Sequence, residues 1–399
     1  MGQVIQKLLL VCLDLTARAI FTLYWLLPFA VLLVGLLAGI SLFIDRDSVF
    51  WQKLTLLANP WLLLPLLLLT YQFAIKRHLR DNPHRQYVGW LGRMDARIDS
   101  LFAWIGTLKY FRSPWSIVED PGGYKIRGDE IRELIDQVLE PGDILLRGYD
   151  GYIDGLLIEL SGGGQGLERY FSHAALYIGE LDDQRDKAIV ARRLLAMNED
   201  GAWHEASSEQ KDAIRNSAEY YQPGRQKVIH SMTKGVFVED ILTFLRCDYL
   251  AVIRLQESSI AYDAEDQKNT AQTLLIPEMA GEGRAIHERL MAGETVSRAE
   301  IIEAVRHSAL GKIGSCYDFQ FNNIKSAHMF SCSEFVYYCF KSIHAYIGLR
   351  PIRHAFLDRF FPRETITPAD VYLAAVNGPA GRKRLQVVWL NQKLRGAQP

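Results

Sequence analysis

Gly314-Ser-Cys-Tyr-Asp-Phe-Gln-Phe321, followed closely by Met329-Phe-Ser-Cys-Ser-Glu-Phe-Val-Tyr-Tyr-Cys-Phe340, decides how this chain is read. The second stretch has the pattern of a buried helix. Ser331 suits an N-cap, and Phe335, Val336, Cys339 and Phe340 recur at spacings that share one apolar face. Cys332 then falls in the first turn. There the helix dipole and the unpaired backbone N–H groups favour a thiolate, and the same N–H groups can hold an oxyanion. A core thiol is the plainer reading of any single cysteine. A possible base far upstream is what makes Cys332 a candidate nucleophile.

That base is His173. It lies in Tyr170-Phe-Ser-His-Ala-Ala-Leu-Tyr-Ile-Gly179, which follows Glu140-Pro-Gly-Asp-Ile-Leu-Leu-Arg147. Both segments are short apolar runs, one opened by Pro141-Gly142 and the other closed by Gly179, so both are expected to be strands. His173 is expected at the start of the second strand, on the rim of a sheet. Residues 227–232 give a third strand carrying His230. Gly235-Val-Phe-Val is expected to run into a helix over 239–245, and 249–255 reads as a further strand.

In this order, PGDILL…SHAALYIG, VIHSMTKGV, YDFQFN…SCSEFVYY and ITPADVY resemble the NlpC/P60 superfamily. They look most like its circularly permuted YiiX/YaeF-like branch of papain-fold cysteine hydrolases, in which the His strand precedes the Cys helix. The resemblance covers residues 139–373, with insertions at 181–226 and 262–296. It implies an α+β fold: a permuted papain-like domain with an antiparallel sheet and a Cys-bearing helix. It also implies Cys332 as nucleophile, His173 as base, and a polar third member at the position of His230. Glu205, a loop carboxylate, is the alternative third member. An imidazole beside a thiol needs such a partner to fix its tautomer.

The chain has 399 residues and a formal charge of −1, so it has no basic footprint for nucleic acid. Cys12, Cys247, Cys316, Cys332 and Cys339 form neither a disulfide framework nor a C-x-x-C pattern. Cys316 is a competing nucleophile and Cys339 reads as core. His307 and His328 could join Cys316 around a metal, but their spacing does not demand one. No metal and no cofactor are expected.

Residues 19–44 and 54–75 carry no charge and are each long enough to cross a bilayer. Pro28 and Pro60 are tolerated in such helices, and Trp51 and Trp61 suit the interface. Lys7 and Arg18 precede the first run, and Lys76, Arg77, Arg80 and Arg85 follow the second. The loop between them holds Arg46 and Lys53 beside Asp45 and Asp47. The positive flanks put both termini on the cytoplasmic side. The sequence lacks the Ser or Thr that N-myristoylation needs at residue 6.

The expected organisation is a two-helix anchor (1–80), an amphipathic juxtamembrane segment (81–128) rich in Trp, Phe, Arg and Lys, and a catalytic domain (129–399). Ser297-Arg-Ala-Glu300 is a capping box opening a helix over 301–309, Thr367-Pro-Ala-Asp370 opens another, and 385–390 is expected as an edge strand. Residues 161–166, rich in glycine, lack the Gly-Lys-Ser/Thr that a phosphate loop requires.

Together these readings describe a multi-pass protein of a bacterial inner membrane with a cytoplasmic cysteine hydrolase or acyltransferase domain. Its bond would be an amide, ester or thioester. Its partners would be membrane lipids and a lipid, acyl-protein or peptide substrate. A peptidoglycan endopeptidase or amidase, and a non-catalytic binding module on the same fold, are the other two classes.

Overall fold

The computed structural model describes residues 126–149, 166–198, 203–272, 282–318, 324, 327–353 and 364–396. The two apolar runs at 19–44 and 54–75, the juxtamembrane segment up to 125 and the glycine-rich residues 161–165 lie outside them. Among the described residues no helix is long and apolar enough to cross a membrane.

A six-stranded sheet organises these residues. Its strands are β1 (Ile144–Gly148), β2 (His173–Leu181), β3 (Gly224–Met232), β4 (Gly235–Asp240), β5 (Tyr249–Leu255) and β6 (Leu385–Leu390). They lie in the order β6-β5-β1-β2-β3-β4. Every pairing in the sheet is antiparallel, so the fold is α+β with an antiparallel sheet. The helices that matter here are α1 (Gly128–Glu133), α2 (Ser208–Asn216), α3 (Arg298–Gly311), α4 (Cys332–Cys339) and α5 (Pro368–Asn377).

Both faces of the sheet are covered, which explains why β1, β2 and β5 are nearly unbroken apolar runs in sequence. Ile144, Leu146, Ala174, Leu176, Ala251 and Ile253 point into one core with Val305 of α3 and Phe335 and Val336 of α4. Leu145, Ala175, Tyr177, Leu250 and Val252 alternate onto the other face, against Leu134, Ile241, Phe244 and Trp389. β6 is the edge strand expected, and a bulge between Val387 and Trp389 interrupts its ladder.

The Glu140–Asp143 turn fixes where β1 begins. Gly142 takes φ +95°, and a Cβ there would run into the Ile302 side chain. The buried Asp143 carboxylate accepts from the Glu140 N–H (2.8 Å) and from Arg254 Nε and Nη2 (2.7 Å each). Arg254 and Arg298 also pair with Glu140 at 2.7 and 2.9 Å.

The helix starts read from sequence are present. The capping box of Ser297 with Glu300 opens α3, and Ser331 and Thr367, expected to start helices, form boxes with Glu334 and Asp370 at α4 and α5. Each such cap contributes about 1 kcal/mol. One expected element differs. Residues 235–240 form strand β4, and only Ile241–Phe244 turn into a helix. Asp240 is the N-cap, its side chain accepting from the Leu242 N–H at 2.9 Å, so the helix cannot begin at Glu239.

Candidate active site

His173 is the first residue of β2 and, as expected, sits at the end of its strand. The strand itself is interior, between β1 and β3, and the residue is buried. The register pairs Arg147 with His173 across β1 and β2. On the other side, His230 and Val228 of β3 face Phe237 and Glu239 of β4. Strand alternation therefore brings Arg147, His173, His230 and Glu239 onto the Phe244 face of the sheet.

His173 Nε2 and His230 Nδ1 are 2.8 Å apart in a buried hydrogen bond. Phe244 lies against both rings, with centroids 6.0 Å from His173 and 5.6 Å from His230. Phe237 closes the far side of His230 at 4.4 Å. Arg147 stacks its guanidinium 4.1 Å above Phe244 and donates to the Phe244 carbonyl at 3.0 Å.

α4 approaches from the opposite face. Ser331 and Glu334 cap it, and all eight of its residues are buried. Ser231 Oγ, next to His230, donates to the Phe330 carbonyl at 2.7 Å and so ties β3 to the chain just ahead of Cys332. The Cys332 thiol lies 3.7 Å from Ser333 Oγ and faces the backbone N–H of Ala174, the residue after His173. The helix start thus meets β2 at Ala174, on the α4 face, while the ring of the preceding His173 points to the Phe244 face. Among the described residues no hydrogen bond joins the thiol directly to His173.

The electrostatics correct one expectation. Burial pushes the Cys332 thiol above the ordinary cysteine range, although the Ala174 N–H and Ser333 both favour its thiolate. With only 3% of the residue exposed, desolvation outweighs the helix start. Burial likewise holds His173 well below the ordinary histidine range, with the Arg147 charge acting in the same direction. His230 is depressed by burial, then by His173, Arg147 and Lys234. The resting trio is a neutral thiol and two neutral imidazoles.

The other candidates lie elsewhere. Glu205 sits on a separate two-stranded ladder, its side chain 74% exposed and paired with Lys211 at 2.5 Å. Cys316 is exposed, in a two-residue ladder with Met329–Phe330. Cys339 is buried on α4. His307 pairs with Glu303 at 3.1 Å, and His328 stacks on Trp203 at 3.9 Å. Among the described residues no three His, Cys, Asp or Glu side chains are grouped to hold a metal.

Two site residues escaped the sequence reading. Glu239 was expected in a helix, and Arg147 was seen only as the end of a strand. The available signal was the alternation of β4 against β3, which puts Glu239 diagonal to His230. Searches of protein-family models, curated proteins and solved structures return no match to this chain.

Proposed function

We propose that this chain is a membrane-anchored cysteine hydrolase or acyltransferase of the permuted, papain-like branch of the NlpC/P60 superfamily. In this reading Cys332 attacks the carbonyl of an amide, ester or thioester. One observation carries the proposal: the buried 2.8 Å His173–His230 hydrogen bond lies at the strand end where the Cys332 helix starts. Two imidazoles placed edge to edge in an apolar pocket, one strand apart, form an oriented base. The order of motifs along the chain supports the same family.

The chemistry follows from which nitrogens are engaged. His173 uses Nε2 toward His230, so Nδ1 is the nitrogen left for the thiol proton. The reaction requires it to reach Cys332 around the end of β2, because α4 lies on the other face of the sheet. As Sγ bonds to the substrate carbonyl carbon, its proton passes to His173 Nδ1. The N–H groups at the start of α4 hold the oxyanion. The tetrahedral intermediate collapses, and the leaving group departs with the proton from His173. Water, or another acceptor, then gives its proton to His173 and attacks the thioester, and the thiol is restored. Because the resting dyad is neutral, proton transfer accompanies attack; no stored thiolate is needed.

The uncharged runs at 19–44 and 54–75 and their positive flanks favour an inner-leaflet site and a lipid or acylated substrate. A short activated ester, p-nitrophenyl butyrate, tests the reaction class with the purified full chain. The expected result is turnover, or a single burst of nitrophenolate, that is lost in Cys332→Ala and strongly slowed in His173→Gln. Equal release from wild type and Cys332→Ala would overturn the proposal and leave a binding module as the better description.

A further inference from the structure

The His173–His230 pair does not end at His230. His230 Nε2 and Glu239 Oε2 are 3.6 Å apart, and both atoms are buried without a hydrogen-bond partner among the described residues. Each is what the other lacks: a ring nitrogen that can carry a proton, and a carboxylate oxygen that accepts one. Arg147 Nη1 stands 3.5 Å from the same oxygen, so a fixed cation holds the carboxylate in place. With Arg147 on one side of the carboxylate, the buried and otherwise unpartnered His230 Nε2 reaches hydrogen-bond distance of Glu239 Oε2 with a shift of well under about 1 Å.

We propose that Glu239 is a positioning residue that sets the tautomers of both histidines. By accepting from His230 Nε2–H, it leaves His230 Nδ1 as an acceptor. His230 Nδ1 then takes the hydrogen bond from His173 Nε2–H, and His173 Nδ1 is left with its lone pair for the Cys332 proton. Without Glu239, His230 has no reason to keep its proton on Nε2. The reversed tautomer would donate from His230 Nδ1 to His173 Nε2, place the His173 proton on Nδ1, and remove the base. The carboxylate also faces the pair as it gains positive charge during attack. Glu239 itself is pushed upward by burial and drawn back by Arg147. Lys234 and Asp240 are the other charged groups acting on it.

The inference rests on the catalytic reading of Cys332 and His173, and its test separates the two. The full chain, in mild detergent, is labelled with ring-¹⁵N histidine, and the His173 and His230 signals are assigned by His→Gln substitution. In wild type both rings should show the proton on Nε2. Glu239→Leu should move His230 toward the Nδ1–H tautomer and slow acylation by p-nitrophenyl butyrate about tenfold, as loss of a partner behind a histidine does elsewhere. Glu239→Gln, whose amide oxygen can still accept, should restore both, and it serves if the leucine variant does not fold. Glu239→Asp, with the carboxylate withdrawn by one methylene, should lie between wild type and leucine. Wild-type tautomers in both Glu239→Leu and Glu239→Asp would overturn the inference and reduce Glu239 to a counter-charge for Arg147. If instead the wild type never acylates Cys332, the catalytic reading falls, while the tautomer shift still decides the role of Glu239.

Discussion

His173 and His230 meet ring to ring at 2.8 Å inside a pocket closed by Phe237 and Phe244. In a wet site such a contact would compete with water. Here neither ring carries much exposed surface, so each nitrogen in the bond depends on the other.

His230→Leu removes the partner of His173 Nε2 and leaves a buried polar atom unsatisfied. Acylation by p-nitrophenyl butyrate should fall about a hundredfold, the upper range for outer partners of histidines. His230→Gln can restore part of the bond through its amide and should lose less. Nitrophenolate release by both variants checks the ordering.

The pH dependence has a definite sign. His173 is depressed, so it stays unprotonated, and able to act as a base, below the usual histidine range. kcat/KM should therefore hold through about pH 6 and fall only in stronger acid. The Cys332 thiol is raised, so its alkylation by iodoacetamide should climb through alkaline pH. An alkylation rate that stays on a plateau down into acid would reveal a stored thiolate–imidazolium pair and contradict the neutral resting state.

Stability should track the same groups. His173 and His230 are held neutral in the folded chain, and His344 is lowered to about 4 by burial. Below about pH 6.5 the unfolded chain binds protons that the folded chain refuses. Their contribution is thus fully present above that pH and is lost as pH falls toward the folded values. Each group adds up to about 1.4 kcal/mol per pH unit to that slope. Urea midpoints measured from pH 7 to 5 should fall, and His230→Gln should flatten the slope by one proton's worth.

How much of this was legible follows from local rules. The capping box at Ser297 and the helix starts at Ser331 and Thr367 are legible because a helix start is a local event; the partners Glu334 and Asp370, three residues on, complete the same pattern in the structure. β1 and β2 are apolar runs, one opened by Pro141-Gly142 and the other closed by Gly179, while 227–232 and 249–255 read as strands without such punctuation. His230 beside His173 came from the family resemblance, because pairing between strands 57 residues apart is not written locally. Glu239 was missed because Val236, Val238 and Ile241 fit a helix as well as a strand until the Asp240 cap is seen. The thiolate was over-read at Cys332. A helix start is visible in sequence, whereas the depth of burial that outweighs it depends on packing by the whole domain.

Asp143 gives a purely structural prediction. Its carboxylate has no exposed surface and holds Arg254 and the Glu140 N–H together at the mouth of β1. Asp143→Ala removes two of the hydrogen bonds of Arg254, whose side chain is 15% exposed and keeps Glu140 and the Val138 carbonyl, and should cost about 2 kcal/mol. A shift of the urea midpoint with an unchanged m-value checks it.

Membrane orientation is tested by fusions. With Lys76, Arg77, Arg80 and Arg85 behind the second uncharged run, a C-terminal cytoplasmic reporter should be active and a C-terminal phosphatase silent. The reverse would put the domain on the far side and make a cell-wall peptide the better substrate class.

The central claim is that Cys332 is the atom acylated. The direct measurement is peptide mass mapping of the full chain quenched in acid after brief exposure to p-nitrophenyl butyrate. The account predicts a butyryl adduct on the peptide containing Cys332, labile to neutral hydroxylamine as a thioester is, and absent in Cys332→Ala. An adduct on Cys316 in its place, or none on any cysteine while ester is consumed, would contradict it.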